Sequence, residues 1–375
     1  MKTKLRPIAI YLPQFHPVPE NDAWWGKGFT EWTNVSKARP LFKGHHQPHL
    51  PADMGFYDLR LKESRMAQAE LARQHGIYGF CYYHYWFNGR RILERPFQEV
   101  YESSEPDLPF MLCWANENWT RKWDGGDSTL LLKQEYSRQD ALKHISTLIK
   151  YFKDPRYIRI DGKPVFAFYK TSIIPNIFEY TQVFREEAAK NGMELYLCRF
   201  ENFGCYGPDF MKGFDAAIEF QPFTFTLDNY IRDVVSMRRR KFSLRLVNRL
   251  LTAFGKDALL KKQMFRYFNW FDYSDYVNYI LKTYKYPQQY KRFPGVMPGW
   301  DNTARRGEDS MLFKNSSPSV FSNWLEYHER NFRPYSNEEN FLFINAWNEW
   351  AEGNHLEPCQ KWGLKYLEAV KKFAE

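Results

Sequence analysis

Near the end of the chain, residues 345–358 read NAWNEWAEGNHLEP and place two glutamates, Glu349 and Glu352, three positions apart. Breaking a glycosidic bond normally needs two carboxyl groups, one to protonate the leaving oxygen and one to act as nucleophile or base. Two carboxyls this close in the chain approach a sugar from one side. The spacing favours a reaction in which one carboxylate deprotonates the sugar's own hydroxyl while the other protonates the leaving group.

The same stretch follows the last of eight short apolar runs, which lie at 8–17, 76–86, 109–119, 163–170, 193–202, 214–223, 293–300 and 341–350. Continuous apolar runs are typical of buried parallel strands. Amphipathic stretches between most of them predict helices, as at 61–76, 138–154, 177–192, 317–332 and 361–374. Eight such units predict an α/β fold, a single (β/α)8 TIM barrel over 1–375. A doubly wound sheet would carry a glycine-rich loop after the first strand, and none is present.

In such a barrel the active site lies at the carboxyl ends of the strands. Polar and aromatic residues end most of the eight runs, which predicts a wide cleft lined by rings and carboxylates. For any one of them alone, a hydrogen-bonded core position is the commoner outcome. The predicted substrate-binding residues are Tyr11, Gln14, His16, Trp25, Tyr83, His84, Trp114, Asn116, Glu117, Arg199, Glu219, Trp300, Trp347, Asn348 and Glu357.

The composition fits this prediction without deciding it. Aromatic residues make up 19% of the chain, which suits either a core of Phe and Tyr or a carbohydrate site, because sugar C–H faces stack on rings. The five cysteines show no CxxC spacing, so a zinc site is not indicated, and their odd number argues against a complete disulfide set.

A first insertion, at 18–57, is predicted to be a substrate loop, since long ordered loops are usually functional. It contains HHQPH at 45–49, three histidines that could suggest a metal. The i, i+4 spacing of a helical zinc site is missing. Hydrogen bonds to sugar hydroxyls or to the loop's own backbone are the favoured role, and we expect no metal and no cofactor.

A second insertion, at 225–290, is predicted to be a basic helical lid. Residues 232–262 hold ten Lys or Arg against two Asp, which gives 10 − 2 = +8 of the chain's net charge of +9. The segment is either a solvated helix face or a peripheral contact to an anionic membrane surface or a phosphate group. No nucleic-acid-binding motif accompanies it, so we expect no nucleic acid partner.

The chain shows no run of about 18 apolar residues, the length that a transmembrane helix needs. Its first apolar run is too short for a secretory signal. We therefore expect a cytoplasmic protein, in which a membrane contact would be peripheral to the inner membrane.

Four motifs together carry a family resemblance: YLPQFHPVPENDAWWGKGFTEW, GFCYYHYWF, CWANENWTRKWDG and NAWNEWAEGNHLEP. With them the chain resembles the WbsX-like proteins of bacterial surface-polysaccharide gene clusters, which are similar to glycoside hydrolase family 99, the endo-α-1,2-mannosidases and mannanases. The resemblance implies a (β/α)8 barrel and a retaining mechanism through a 1,2-anhydro sugar, without a metal. It implies that Glu349 assists the 2-hydroxyl and that Glu352 is the general acid/base.

Three functions stay open at this point. The first is an enzyme that cleaves or transfers at a glycosidic bond of an oligosaccharide or lipid-linked glycan in cell-surface polysaccharide metabolism. The second is a nucleotide-sugar glycosyltransferase of O-antigen or capsule assembly, although the sequence shows neither a DxD pair nor a glycine-rich nucleotide fold. The third is a barrel that binds glycans without catalysis.

Overall fold

The computed structural model describes residues 4–121, 129–236 and 269–375. Its centre is a barrel of eight parallel strands, each paired with its neighbours in chain order and the last paired with the first. The predicted (β/α)8 barrel is therefore confirmed. The strands are β1 (Arg6–Tyr11), β2 (Gly79–Phe87), β3 (Phe110–Trp114), β4 (Lys163–Phe168), β5 (Tyr196–Glu201), β6 (Ala216–Glu219), β7 in two segments (Arg292–Phe293 and Gly295–Val296) and β8 (Phe341–Ile344).

Strand β7 closes the barrel with two separate segments. Its first segment pairs with β6 and its second with β8. Pro294 lies between the segments and has no N–H for a ladder, while its carbonyl accepts a hydrogen bond from the N–H of Phe343. The following Gly295 touches the β6 backbone so closely that a Cβ would lie 2.0 Å from the carbonyl oxygen of Glu219. Closure therefore depends on a residue without a side chain.

This contact gives a first prediction. Gly295→Ala should lower the free energy of unfolding by about 1–3 kcal/mol, since backbone must move to admit the methyl group. Urea denaturation would measure the loss. Gly162→Ala is a poor control because of its positive φ, whereas Ser146→Ala on an exposed helix face should change stability little. A Gly295→Ala protein as stable as the wild type would contradict the close contact.

The helices surround the barrel and bury one face each. Helix α5, for example, begins where the Ser137 hydroxyl accepts a hydrogen bond from the N–H of Asp140, the usual N-cap arrangement. The helices are α1 (Pro19–Trp25), α2 (Glu31–Lys37), α3 (Lys62–Gln74), α4 (Arg95–Ser103), α5 (Arg138–Phe152), α6 (Ile177–Lys190), α7 (Phe225–Tyr230), α8 (Tyr273–Thr283), α9 (Thr303–Arg306), α10 (Pro318–Asn331) and α11 (Lys365–Ala374).

The two insertions differ in how far they can be described. The first, 18–57, contains α1 and α2 and packs against the carboxyl-end face of the barrel. In the second, 225–290, the structure describes α7, a short π-helix at Ile231–Val235, a strand at Trp270–Asp272 and α8. The predicted lid falls largely on residues 237–268, which lie outside the described residues, as does most of the basic segment 232–262. Within the described ranges, no helix has the length and apolar character needed to cross a bilayer.

Candidate active site

A cleft of about 710 Å³ opens at the carboxyl ends of the strands. Side chains from the ends of β2 to β8 line it, and the predicted pair Glu349 and Glu352 lies on one side. The side chains of this pair are only 8% and 17% exposed. The carboxyl groups therefore face a site that is open to a ligand but largely shielded from water.

Both glutamates are held by one arginine. Arg305, on α9, donates from Nη1 to Oε1 of Glu352 (2.5 Å) and from Nη2 to Oε2 of Glu349 (3.0 Å). Its Nε donates to Oε1 of Glu31 on α2 at 2.9 Å. The Arg305 side chain is 3% exposed and that of Glu31 is fully buried. One guanidinium thus connects three carboxyl groups, and its planar fork places Glu349 and Glu352 side by side.

Burial and the charges of this cluster together shift the pKa of Glu349 and of Glu352. Burial raises the pKa of Glu349 well above the ordinary range, and the charge of Glu352 adds to the effect, whereas Arg305 opposes it. Burial likewise raises the pKa of Glu352 against the opposing charge of Arg305. Three ionised carboxylates around one cation would leave two uncompensated charges in a poorly hydrated site. We infer that the pair keeps a shared proton to a higher pH than glutamates in water do, which lets it supply an acid and a base together.

A short turn after β8 presents the two glutamates. Asn348 and Glu349 pair antiparallel with Asn354 and His355, and a 3-10 turn at Trp350–Glu352 joins the two segments. Asn348 fixes this turn to the end of β1. Its Oδ1 accepts from the N–H of Leu12 at 2.8 Å, and its Nδ2 donates to the carbonyl of Leu12 at 3.0 Å.

Asn348→Ala should therefore lower stability by about 2–4 kcal/mol, because both backbone groups of Leu12 would be left buried and unpaired. Activity should fall with it, since Glu349 follows directly in the chain. Thermal unfolding and turnover, measured together, check this expectation. Asn191→Ala, at the exposed end of α6, is the matched control. A variant with wild-type melting temperature and rate would show that this anchor is dispensable.

A buried hydrogen-bond network supports the turn from below. Glu357 accepts from Tyr57 Oη (2.8 Å), Gln68 Nε2 (2.6 Å) and Trp350 Nε1 (2.6 Å). Gln68 also accepts from the hydroxyl of Tyr11 at 2.6 Å. Burial raises the pKa of Glu357 to about 7. The network ties the strand-eight turn to β1 and α3, so these groups position the site from behind.

Three tyrosines contribute their side chains to the cleft. Tyr83 and Tyr85 on β2 and Tyr169 after β4 line the cleft. Their hydroxyls make no hydrogen bond to any residue that the structure describes. Burial raises the pKa of all three well above 10, and the charge of Glu349 contributes to each rise. They are therefore neutral donors, close to the glutamate pair, that a ligand can satisfy.

Comparison with known proteins identifies the family. The family model described as "Glycosyltransferase WbsX" matches residues 7–370. The chain belongs to the WbsX family. It is 39% identical over 369 residues to "Uncharacterized protein WxcX" of Xanthomonas campestris pv. campestris, which covers 97% of this chain and 49% of that protein. The WbsX-family chain thus spans about half the length of the curated relatives that it matches.

Solved structures show the same fold. One described as "Glycoside hydrolase-like protein" superposes with a TM-score of 0.58 at 13% identity, covering 100% of this chain and 95% of that one. The GH99 endo-alpha-mannosidase of Bacteroides thetaiotaomicron superposes with a TM-score of 0.55 at 12% identity, covering 98% and 96%. At this identity the likeness establishes the fold alone. The family description places this WbsX-family chain among carbohydrate-active enzymes.

The structure brings only part of the predicted site to the cleft. Of the predicted substrate-binding residues, Tyr83, Glu117 and Trp300 line it together with the glutamate pair. The others lie elsewhere, buried in the barrel or, for Trp25, half-buried beside the Arg121 guanidinium. Their positions give no support to contact with substrate in the WbsX-family chain. They are Tyr11, Gln14, His16, Trp25, His84, Trp114, Asn116, Arg199, Glu219, Trp347, Asn348 and Glu357.

Hydrogen bonds to other residues of the same chain explain why most of these side chains do not line the cleft. His84 contacts His144, with the two Nε2 atoms 3.0 Å apart, and Asn116 holds both backbone groups of Lys170 at 2.8 Å. Glu219 accepts from the hydroxyl of Tyr284 at 2.6 Å. The structure also explains a role for Gln14, whose carbonyl accepts from the N–H of Glu31 at 3.0 Å. These residues shape the scaffold that carries the site.

The histidines of the first insertion pack behind the glutamate turn. His45 Nδ1 accepts from the N–H of Leu41, so its Nε2 carries the proton and donates to Asp301 at 2.6 Å. The N–H of Asp301 in turn donates to the carbonyl of Glu352 at 2.6 Å. Across the described ranges, no group of three or more His, Cys, Asp or Glu is arranged for a metal ion. The bond between Leu41 and His45 is one to the loop's own backbone, as expected, whereas the bond from His45 to Asp301 leaves the loop. Hydrogen bonds to sugar hydroxyls stay a prediction.

Sequence reasoning missed Glu31, Arg305 and Tyr85. It placed Tyr169 at the active-site end of its strand but not among the substrate-binding residues. One signal could have found Arg305: two glutamates that are buried so close together require a cation, and the loop after β7 supplies adjacent arginines. Glu31 gives no comparable signal, because its partner lies 274 positions away.

Proposed function

We propose that this chain is a retaining enzyme that cleaves or transfers at a glycosidic bond by participation of the sugar's 2-hydroxyl group. One observation carries the proposal: Glu349 and Glu352 hydrogen-bond to neighbouring nitrogens of the same guanidinium. They therefore meet a bound sugar from the same side. A carboxylate that attacks the anomeric carbon directly would have to lie opposite the general acid.

In the first step, Glu349 takes the proton from the 2-hydroxyl, and the oxygen attacks the neighbouring anomeric carbon. The bond to the leaving oxygen breaks as Glu352 delivers its proton to that oxygen, which leaves a 1,2-anhydro sugar. In the second step Glu352 removes a proton from the incoming water or sugar hydroxyl, whose oxygen opens the three-membered ring at the anomeric carbon. Glu349 returns its proton to the 2-oxygen, so both residues regain their starting states.

The cleft supports a glycan as the substrate. The free hydroxyls of Tyr83, Tyr85 and Tyr169 can donate to sugar oxygens, and Trp119 and Trp300 add aromatic surface. A cleft of about 710 Å³ exceeds the volume of one sugar ring and suits an oligosaccharide or the glycan of a lipid-linked donor.

The pH dependence follows from the shared proton. Since the pKa of both glutamates is raised by burial, the rate should fall at low pH, where the base is protonated, and at high pH, where the acid has lost its proton. Both limbs of the profile should lie above the ordinary glutamate value of 4.5. Measuring kcat from pH 3 to 10 checks this, and an acid limb centred below pH 4.5 would contradict it.

The product test uses water enriched in heavy oxygen. The protein is incubated with a panel of α-linked oligosaccharides and with lipid-linked glycans, and the products are analysed by mass spectrometry. Label in a new reducing end means hydrolysis, and rearranged or elongated glycans without label mean transfer. Either result supports the proposal, and retention of the anomeric configuration is required in both. Inversion, or unchanged glycans throughout, rejects it.

A second candidate is transfer from a nucleotide sugar, which the family's description favours. It requires affinity for a nucleotide. Thermal shift with nucleotide sugars, with and without a divalent cation, separates it from the first candidate. Stabilisation by several degrees together with transfer dependent on the nucleotide sugar would replace the glycosidase mechanism. The basic segment 232–262 is a proposed contact for a lipid pyrophosphate or anionic membrane in either case.

A further inference from the structure

One wall of the cleft is made of hydrocarbon rings. The ends of β5 and β6 contribute Phe203, Phe220 and Phe223 to the lining, and the end of β7 adds Trp300. The ring centroids of Phe203 and Phe223 lie 4.8 Å apart and those of Phe223 and Trp300 lie 4.9 Å apart. Phe203 is 44% exposed. These four residues, called the aromatic wall below, form a continuous surface from the rim into the cleft.

The polar side chains of the same strand ends point away from this wall. Asn202 donates to the carbonyl of Tyr169, and Gln221 hydrogen-bonds to Glu219 and to Tyr276. The indole nitrogen of Trp300 is itself buried. The aromatic wall therefore offers a ligand no accessible donor or acceptor from β5 or β6.

Polar side chains line other parts of the cleft. Glu117, Asn118 and Thr120 follow β3, Asn302, Arg306 and Asp309 follow β7, and Lys170 after β4 places its Nζ 4.9 Å from the centre of the Phe203 ring. Phe223 lies between the rings of Phe203 and Trp300, so it has aromatic neighbours on two sides. The C–H faces of an ordinary hexose can stack on such rings, but the hydroxyl of its CH₂OH group at C5 does not match them.

The wall begins beside the general acid. Trp300 immediately precedes Asp301, whose N–H donates to the carbonyl of Glu352 at 2.6 Å. Because Trp300, Phe223 and Glu352 line the same cleft, a sugar whose glycosidic oxygen reaches Glu352 can place one edge against the two rings. The substituent at that edge must be apolar, because burying a polar group there would cost free energy of desolvation.

We propose that the aromatic wall selects a 6-deoxyhexose, with the methyl group on C5 packed against Phe223 and Trp300. A hexose with CH₂OH at this position would bury a hydroxyl without a partner, whereas a methyl group gains from the same burial. This inference rests on the proposed function and names its substrate class. Since apolar pockets reject an added hydroxyl only moderately, we expect a preference of about 10- to 100-fold.

The test measures binding without turnover. Glu352→Gln protein is titrated with matched α-linked disaccharides that differ only in CH₃ or CH₂OH at C5, in D-manno, D-gluco, L-manno and L-galacto configuration. The expected result is 10- to 100-fold tighter binding of the 6-deoxy member in at least one pair. Its methyl proton resonance should move upfield on binding, because the group lies over aromatic rings.

Two variants identify the wall as the cause. Phe223→Gln places an amide on the wall and should reduce the preference below threefold, whereas Phe223→Leu keeps it apolar and should retain the preference. Equal binding within every pair, tighter binding of the hydroxylated member, or no binding of any 6-deoxy sugar overturns the inference. Turnover of hexose glycans by the wild type would then leave the proposed function standing, so the two can fail separately.

Discussion

Glu352→Gln should fold normally and lose about 10²- to 10⁴-fold in turnover of a natural glycan, the range that a general acid contributes. The amide keeps the volume of the side chain and can still accept the hydrogen bond from Arg305 Nη1, but it has no proton to give. Circular dichroism and thermal unfolding establish the fold, and product formation by mass spectrometry measures the rate.

A change of leaving group distinguishes the acid from a merely structural residue. Dinitrophenolate leaves a glycoside without being protonated. Glu352→Gln should therefore form the anhydro sugar from a dinitrophenyl glycoside at close to the wild-type rate. Glu349→Gln should stay slow, because the 2-hydroxyl still needs its base. Glu186→Gln, on the exposed face of α6, controls for the loss of a surface carboxylate. Turnover of the natural glycan by Glu352→Gln at the wild-type rate would show that Glu352 is not the general acid.

Arg305→Met should be the most destabilising single change in the cleft, at about 3–5 kcal/mol. It keeps much of the side-chain volume but leaves Glu31, Glu349 and Glu352 buried without their shared cation. Burial would lower the pKa of Arg305 on its own, but the three carboxylates raise it instead, with Glu31 the largest contributor. Removing the cation should raise the pKa of Glu349 and Glu352 further and, if the proposed mechanism holds, abolish turnover.

The neighbouring arginine provides the matched control. Arg306 is exposed at the cleft rim, so Arg306→Met should cost less than about 1 kcal/mol. The double variant Arg305→Met/Glu31→Gln should recover part of the lost stability, because one buried charge disappears with its partner. Urea unfolding of the wild type, Arg305→Met, Glu31→Gln and the double variant completes the cycle. Arg305 and Arg306 variants of equal stability would refute the buried cluster.

The barrel was predictable from the sequence because each strand is buried on both faces and therefore reads as an apolar run. Segment 214–223 illustrates this, since its buried part, β6, has the sequence AAIE. The break in β7 was not predictable, because a proline such as Pro294 can mark either a break within a strand or the end of a strand. Its cause is the tight approach of Gly295 to Glu219, a contact between strands.

The site was predictable only where the chemistry lies in one short segment. Glu349 and Glu352 stand three residues apart, so a single turn of the chain, the 3-10 turn at Trp350–Glu352, is enough to bring their side chains together. Asn348 shows the limit: it sits beside Glu349 but turns toward Leu12 instead of the cleft. Strand-end residues alternate in direction, so a sequence indicates which residues reach the correct end of the barrel but not which of them face the ligand.

The shared guanidinium also sets an order of assembly. Glu31 leaves the ribosome 274 residues before Arg305, and Glu349 and Glu352 emerge later still. Until Arg305 lies beside it, burial of the Glu31 carboxylate would leave its charge without a partner, so α2 cannot pack onto the barrel. Docking of the first insertion thus waits for the synthesis of Arg305, and a chain that ends before Arg305 would expose that segment to proteases and quality-control factors.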